Sequence, residues 1–264
     1  GDLDLFIGNG RGDTLFFRNT AALGSTTPAY ATAETNPFGI TRIGNAASPA
    51  FADADGDGDL DLFVGQRRDG NTLFFRNTAA PSATTPAFAG AEIDPFGITN
   101  VDATASPAFA DADNDGDLDL FIGSGNGNTI FFRNTAAPGS TTPAYATAET
   151  NPFGIGGVGI KASPAFADID GDGDLDLFIS NFDGNTIFFR NTASPGATSP
   201  AYAAAVTNPF GITGVDIFAS PEFADIDGDG DLDLFIGNAA GDTLFFRNTA
   251  ATPVAPVTSE TASG

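Results

Sequence analysis

The stretch Phe51-Ala52-Asp53-Ala54-Asp55-Gly56-Asp57-Gly58-Asp59-Leu60-Asp61-Leu62-Phe63-Val64-Gly65 decides how the chain reads. Five carboxylates alternate with small residues, and the sequence then turns apolar without a break. The acidic part returns at residues 111–119, 168–176 and 225–233, each time followed by Leu-Phe-Ile. A fragment of it, Asp2-Leu3-Asp4-Leu5-Phe6, lies near the first residue.

Such a loop suits a hard cation. Calcium takes six to eight oxygens and accepts irregular geometry, whereas magnesium insists on an octahedron and keeps its waters. Carboxylates at positions 1, 3, 5 and 9 with the carbonyl of position 7 can wrap the ion, and glycine at position 6 permits the turn. The first ligand set is Asp53, Asp55, Asp57 and Asp61, with Asp59 contributing its carbonyl. The second is Asp111, Asp113, Asp115, Asp117 and Asp119. The third is Asp168, Asp170, Asp172, Asp174 and Asp176, and the fourth Asp225, Asp227, Asp229, Asp231 and Asp233. An EF-hand needs glutamate at position 12 ahead of a helix, and position 12 here is Val64, Ile122, Ile179 or Ile236. About four calcium ions are therefore expected. No complete fifth site is expected at Asp2 and Asp4.

Outside the loops the chain repeats itself. Leu15-Phe16-Phe17-Arg18-Asn19-Thr20 recurs around Arg76, Arg133, Arg190 and Arg247, at spacings of 58, 57, 57 and 57. The units run approximately over 1–57, 58–115, 116–172, 173–229 and 230–257, with 258–264 as a tail or linker. Each unit offers short strand-like runs separated by turn chemistry. In the second unit these are residues 48–52, 60–64 and 72–76, followed by Pro-bearing runs at 85–89 and 94–98 placed as outer or edge strands. Leu60, Leu62 and Val64 share one face while Phe63 takes the other, and Phe74 and Phe75 oppose each other. A sheet apolar on both faces needs cover on both. No stretch carries helical periodicity, so the cover is other sheets: an all-β propeller of about five four-stranded blades, the first and last incomplete or shared. Residues 250–257 close the ring within one chain, or another copy fills the vacant edge.

Composition narrows the function. The 264 residues carry a net charge of −24, which excludes nucleic acid and anionic membranes as partners. The four loops hold five Asp each, 20 of the 34 acidic residues, so the charge is local rather than a solubility device. No apolar run is long enough to cross a membrane. Without His or Cys the common general base and thiolate chemistry is missing, and no enzymatic role is expected. Gly1 as first residue and the absence of Met read as a processed piece of a longer product.

Residues 51–65 resemble the FG-GAP/VCBS-type repeat, the blade motif of integrin-α-like propellers. The resemblance implies calcium bound within each blade by the Asp-x-Asp-x-Asp-Gly-x-x-Asp loop. It also implies a secreted, bacterial protein, extracellular or at the cell surface, in adhesion or lectin-like roles. The expected function is a calcium-stabilised structural or adhesion module. The alternatives are a filament subunit joined head to tail by strand complementation, and a carbohydrate-binding propeller; the partners are then copies of itself or surface glycans and proteins.

Smaller features have plainer readings. Arg11-Gly12-Asp13 matches an integrin-recognition tripeptide but sits where a hairpin turn wants Gly-Asp. The repeated arginine pairs with an acidic loop or a carbonyl. Tyr30, Phe88, Tyr145 and Tyr202 pack in a core or edge rather than stack on sugars. The variable positions are the hairpin tips (9–13, 66–71, 124–128, 181–185, 238–242) and a second set, 41–46, 99–104, 156–161 and 213–218. Binding resides in such loops on rigid scaffolds.

Overall fold

A computed structural model describes residues 3–22, 25–80, 83–137, 140–194 and 196–249. They form five small antiparallel sheets, the blades of a propeller. Blade 1 holds β1 (Leu5–Gly8), β2 (Thr14–Phe17) and β3 (Glu34–Thr35). Blade 2 holds β4 (Ala47–Ala52), β5 (Asp61–Gln66), β6 (Thr72–Phe75) and β7 (Glu92–Ile93). Blade 3 holds β8 (Ser106–Ala110), β9 (Asp119–Gly123), β10 (Thr129–Phe132) and β11 (Glu149–Thr150). Blade 4 holds β12 (Ser163–Ala167), β13 (Asp176–Ser180), β14 (Thr186–Phe189) and β15 (Val206–Thr207). Blade 5 holds β16 (Ser220–Ala224), β17 (Asp233–Gly237) and β18 (Thr243–Phe246). Strands pair in chain order within each sheet, so every blade is a meander.

The alternation in the sequence sets the packing between blades. In blade 2, Leu62 and Val64 pack toward blade 1 together with Phe75, while Phe63 and Phe74 pack toward blade 3. The same division holds at the next two interfaces, where Phe121 and Phe131 meet Leu177 and Ile179, and Phe178 and Phe188 meet Leu234 and Ile236. Aromatic rings tie each interface, as where Phe63 lies 4.8 Å from Phe109. Burying a Phe at such a site contributes about 2–3 kcal/mol. Leu60, placed by alternation on the face of Leu62 and Val64, is exposed, because it belongs to the acidic loop and not to β5.

The outermost strand differs from expectation. Residues 85–89 and 94–98 are not strands; the outer edge is the two-residue β7, with Phe88 making only an isolated bridge to Asn77. Proline explains this: Pro86 and Pro95 cannot donate to a ladder, and Asp94, Phe96 and Gly97 all take positive φ, a turn rather than an extended run. Blade and repeat are also offset. Each complete sheet runs from its Ser-Pro strand to the next outer edge, so it takes its inner strand from the end of one sequence unit and the rest from the following one. The inner strands of four blades surround an axial cavity of about 690 Å³ onto which Ala50, Ala108, Ala165 and Glu222 border. Residues 250–264, expected to close the ring and to form a tail, lie outside the described residues, as does Asp2.

Candidate metal centres

Each acidic loop joins the inner strand of a blade to the second, so all four open at the same end of the propeller. The backbone turns the loop twice. Position 6 (Gly58, Gly116, Gly173, Gly230) has φ of 92 to 94°, and position 4 (Gly56, Asn114, Gly171, Gly228) has φ of 57 to 75°. Asn114 is the one substitution, and asparagine tolerates the left-handed region better than any other residue with a side chain.

These turns bring carboxylates together. Asp53, Asp55 and Asp57 place ligand oxygens within 4.8 Å of one another; Asp111, Asp113 and Asp115 do the same, as do Asp168, Asp170 and Asp172, and Asp225, Asp227 and Asp229. Three charges at that separation repel by roughly 3 kcal/mol per pair at an effective dielectric near 20. Some of the repulsion is met from the adjacent strand, where Arg76 pairs with Asp55, Arg133 with Asp113, Arg190 with Asp170 and Arg247 with Asp227. The repeated arginine thus serves the acidic loop, as its position in Phe-Phe-Arg suggests.

The ninth position plays a different part. Asp61, Asp119, Asp176 and Asp233 are buried, and one oxygen of each accepts the backbone N–H that follows Phe-Phe-Arg, from Asn77, Asn134, Asn191 and Asn248. The second oxygen of Asp61, Asp176 and Asp233 has no hydrogen-bond partner. Burial raises the carboxyls of Asp61 and Asp176 to about 6 and that of Asp119 to about 7, with the Asn N–H bond as the largest opposing influence. The seventh residues, Asp59, Asp117, Asp174 and Asp231, are not among the grouped carboxylates; their N–H groups donate to the fifth position, as Asp59 does to Asp57.

The residues fit a cation. Oδ1 of Asp53, Asp55, Asp113 and Asp170 is buried without a hydrogen bond, and such orphaned oxygens are costly unless something positive meets them. All donors are hard oxygens, with no nitrogen or sulfur among them. Asp53, Asp55 and Asp57, and the equivalent triplets, are the residues that can hold a metal ion. Blade 1 keeps only the end of the motif, where Asp4 accepts the N–H of Asn19.

The other flagged features are structural. In Arg11-Gly12-Asp13, Gly12 takes φ of 83° in a tight turn, and the Asp13 carboxylate accepts from Asn36 and Asn9, which hold it below its usual pKa. Asn128 and Asn185 fill the equivalent place, accepting from Asn151 and Asn208. Phe88 and Tyr145 are buried in interfaces between blades.

No curated protein matches the chain at significance. Among solved structures, a chain from a mutant Photorhabdus luminescens Tc holotoxin pore is similar over 92% of this chain and 13% of its own length, at 14% identity and a TM-score of 0.37. A model described as the FG-GAP-like repeat matches residues 1–64, 55–122, 111–179 and 168–236. The last three matches each run from one acidic loop to the strand behind the next, the span that carries the clustered carboxylates and the apolar strands of two neighbouring blades. With four repeats matched in succession across most of its length, the chain belongs to the FG-GAP-like repeat family.

Proposed function

We propose that this chain is a calcium-stabilised propeller acting outside the cell as a structural or adhesive module, and not as an enzyme. The observation that carries the reading is the set of four Asp triplets, three of which hold buried carboxylate oxygens that no hydrogen bond satisfies. Calcium answers that need better than magnesium, because the loops offer many oxygens in a flexible arrangement. Millimolar free calcium outside cells would fill such sites even at the weak affinities common in extracellular modules, about 10⁻⁴–10⁻³ M. The clustered carboxylates are spent on the loops, and the chain has no His or Cys to act as base or nucleophile. Calorimetric titration tests the reading: about four calcium ions per chain should bind, with magnesium much weaker. Binding of one ion or none, or a preference for magnesium, would remove the basis of the proposal.

A second reading, self-association, is favoured by the two end blades. Phe245 of blade 5 is 43% exposed although its equivalents Phe74 and Phe131 are 0% exposed. It lies on the side that in blades 1 to 4 packs against the next blade, and blade 1 presents the complementary Leu5, Ile7 and Phe17 only partly buried. Among the described residues no apolar cluster joins blade 5 to blade 1. A second copy stacked in that register would repeat the internal interface. The carbohydrate-binding reading has less behind it, since Phe88 and Tyr145 are buried rather than displayed.

A further inference from the structure

The end of the propeller opposite the acidic loops has a different electrostatic character. Of the ten basic residues, five sit in the Phe-Phe-Arg strand ends; the other five, Arg11, Arg42, Arg67, Arg68 and Lys161, all lie in the hairpin tips and the loops beside them. Two of these, Arg67 and Lys161, meet over one aromatic ring beside the entries to the inner strands.

Blades 2 to 5 each enter the inner strand through a residue in the left-handed region: Ala46, Thr104, Lys161 and Phe218, with φ of 36, 70, 61 and 64°. Two residues on, the hydroxyls of Ser48, Ser106, Ser163 and Ser220 form a chain with spacings of 3.0, 2.9 and 3.3 Å, which places the four entry positions around the axis. The left-handed region costs a residue with a side chain on the order of 1–3 kcal/mol, and glycine would relieve it. No blade uses glycine here. The sequence instead keeps side chains at these entry positions and varies them.

Lys161 and Phe218 are joined there by Phe182 and Arg67. The Phe182 and Phe218 rings meet edge to face with centroids 4.9 Å apart. Lys161 Nζ lies 3.4 Å from the Phe218 centroid and 4.8 Å from that of Phe182. From the tip of blade 2 the Arg67 guanidinium comes to 4.3 Å from the Phe218 centroid. Among the described residues neither cation has a carboxylate at ion-pair distance, whereas Arg76, Arg133, Arg190 and Arg247 each have one. Burial and the neighbouring Arg67 hold the Lys161 ammonium below its usual pKa. Two like charges therefore share one aromatic platform without a counter-charge, in a chain whose net charge is −24.

We propose that this cluster of two cations and two rings is a binding site for a carboxylate carried on an apolar body, the carboxylate held by Lys161 and Arg67 and the apolar part against Phe182 and Phe218. Bidentate pairing with arginine suits a carboxylate, and the two rings offer the body a dry contact. An extended polyanion is disfavoured, because two cations cannot offset the surrounding negative field. The same chemistry is carried by a free organic acid and by the C-terminus of a peptide ending in an apolar residue.

The experiment is calorimetric titration of the calcium-loaded chain with 3-phenylpropionate and with a short peptide ending in Phe, as free acid and as amide. The expected result is binding of at least one of the two acids, with amidation of the peptide or reduction of the small acid to its alcohol weakening it tenfold or more. Lys161→Gln and Arg67→Gln should each weaken it to the same degree and Arg42→Gln should not, with all three variants melting within a few degrees of the parent. Binding of the peptide alone assigns the source as a chain terminus, and binding of the small acid alone assigns it as a free acid. Absence of binding by both acids, or affinity unmoved by Lys161→Gln, overturns the proposal. Lys161→Arg, which keeps the charge, should restore most of the affinity.

Discussion

The backbone N–H of Asn134 donates to Oδ1 of Asp119 at 2.6 Å, fastening the acidic loop of blade 3 to the end of its third strand. The bond recurs in every blade, at 2.7 Å from Asn19 to Asp4, 2.6 Å from Asn77 to Asp61, 2.7 Å from Asn191 to Asp176 and 2.8 Å from Asn248 to Asp233. One oxygen of the ninth residue is thereby committed to the sheet, and the other can turn to the loop.

That division of labour separates two substitutions. Asp119→Asn keeps an oxygen to accept from Asn134 but loses the charge that faces the loop. Asp119→Ala loses both and leaves a buried N–H unsatisfied, which costs about 1–3 kcal/mol. In calcium, urea unfolding should show Asp119→Ala less stable than Asp119→Asn by roughly that amount. Equal stabilities would mean the hydrogen bond to Asn134 contributes little.

On the proposed calcium reading, removal of the ion has a calculable effect. With free calcium at ten times the dissociation constant each site adds about 1.4 kcal/mol to folding. Four sites are then comparable to the whole stability of a typical domain, about 5–15 kcal/mol. Excess chelator should lower the melting temperature by more than ten degrees. A melting curve indifferent to chelator would show that the loops are held without an ion.

The pH dependence of the metal-free chain follows from the same carboxyls. Asp61 and Asp176 titrate near 6 and Asp119 near 7 in the folded protein, above an unfolded value of about 3.9. A carboxyl raised by folding prefers its proton in the native state. Its contribution is complete below pH 4 and is lost as pH climbs through 6 to 7. In chelator, thermal stability should fall across that window, while in calcium, which on the proposed reading binds the deprotonated form, it should hold or rise. Differential scanning calorimetry between pH 4 and 8 measures both, and a chelated protein that gains stability with pH would contradict the assignment.

The blade interfaces offer a matched pair of deletions. Phe131 is 0% exposed between blades 3 and 4, and Phe245 is its equivalent on the uncovered side of blade 5 at 43%. Phe131→Ala should cost about 3–5 kcal/mol. Phe245→Ala should cost under about 1 kcal/mol in a dilute monomer. If copies stack through that side, Phe245→Ala should also shift a sizing column profile toward monomer. A parent protein that is monomeric at every concentration would dispose of the self-association reading.

Much of the architecture was legible because its periodicities are short and strict. The opposite placement of Phe74 and Phe75 and the alternation across 62–64 already required cover on both faces of a sheet, and blades supply it. The outer strand was not legible. Residues 94–98 look extended, yet Pro95 and three positive φ values turn the chain there, and the pairing falls to Glu92 and Ile93, which carry no pattern of their own. At the acidic loops the grouping of positions 1, 3 and 5 was readable from spacing. The tie of position 9 to Asn77 and its equivalents was not, because it joins residues 15 or 16 apart through a backbone donor that every sequence has. The platform at Lys161 was hidden for another reason. It unites residues 67, 161, 182 and 218, from three blades, and only the ring brings them to one place.

Among the described residues one side each of blades 1 and 5 is left without a covering blade, and this carries a mechanical consequence. Blades 2, 3 and 4 are gripped from two directions, the outer two from one, so tension applied along the chain meets its weakest resistance at the ends. Each blade that gives way releases about 57 residues, or roughly 190 Å of slack at ~3.4 Å per residue. A calcium ion in each loop would act as a rivet on the blade it sits in. The molecule under load would then lengthen in even steps, as an extensible tether whose stiffness is set by the calcium around it.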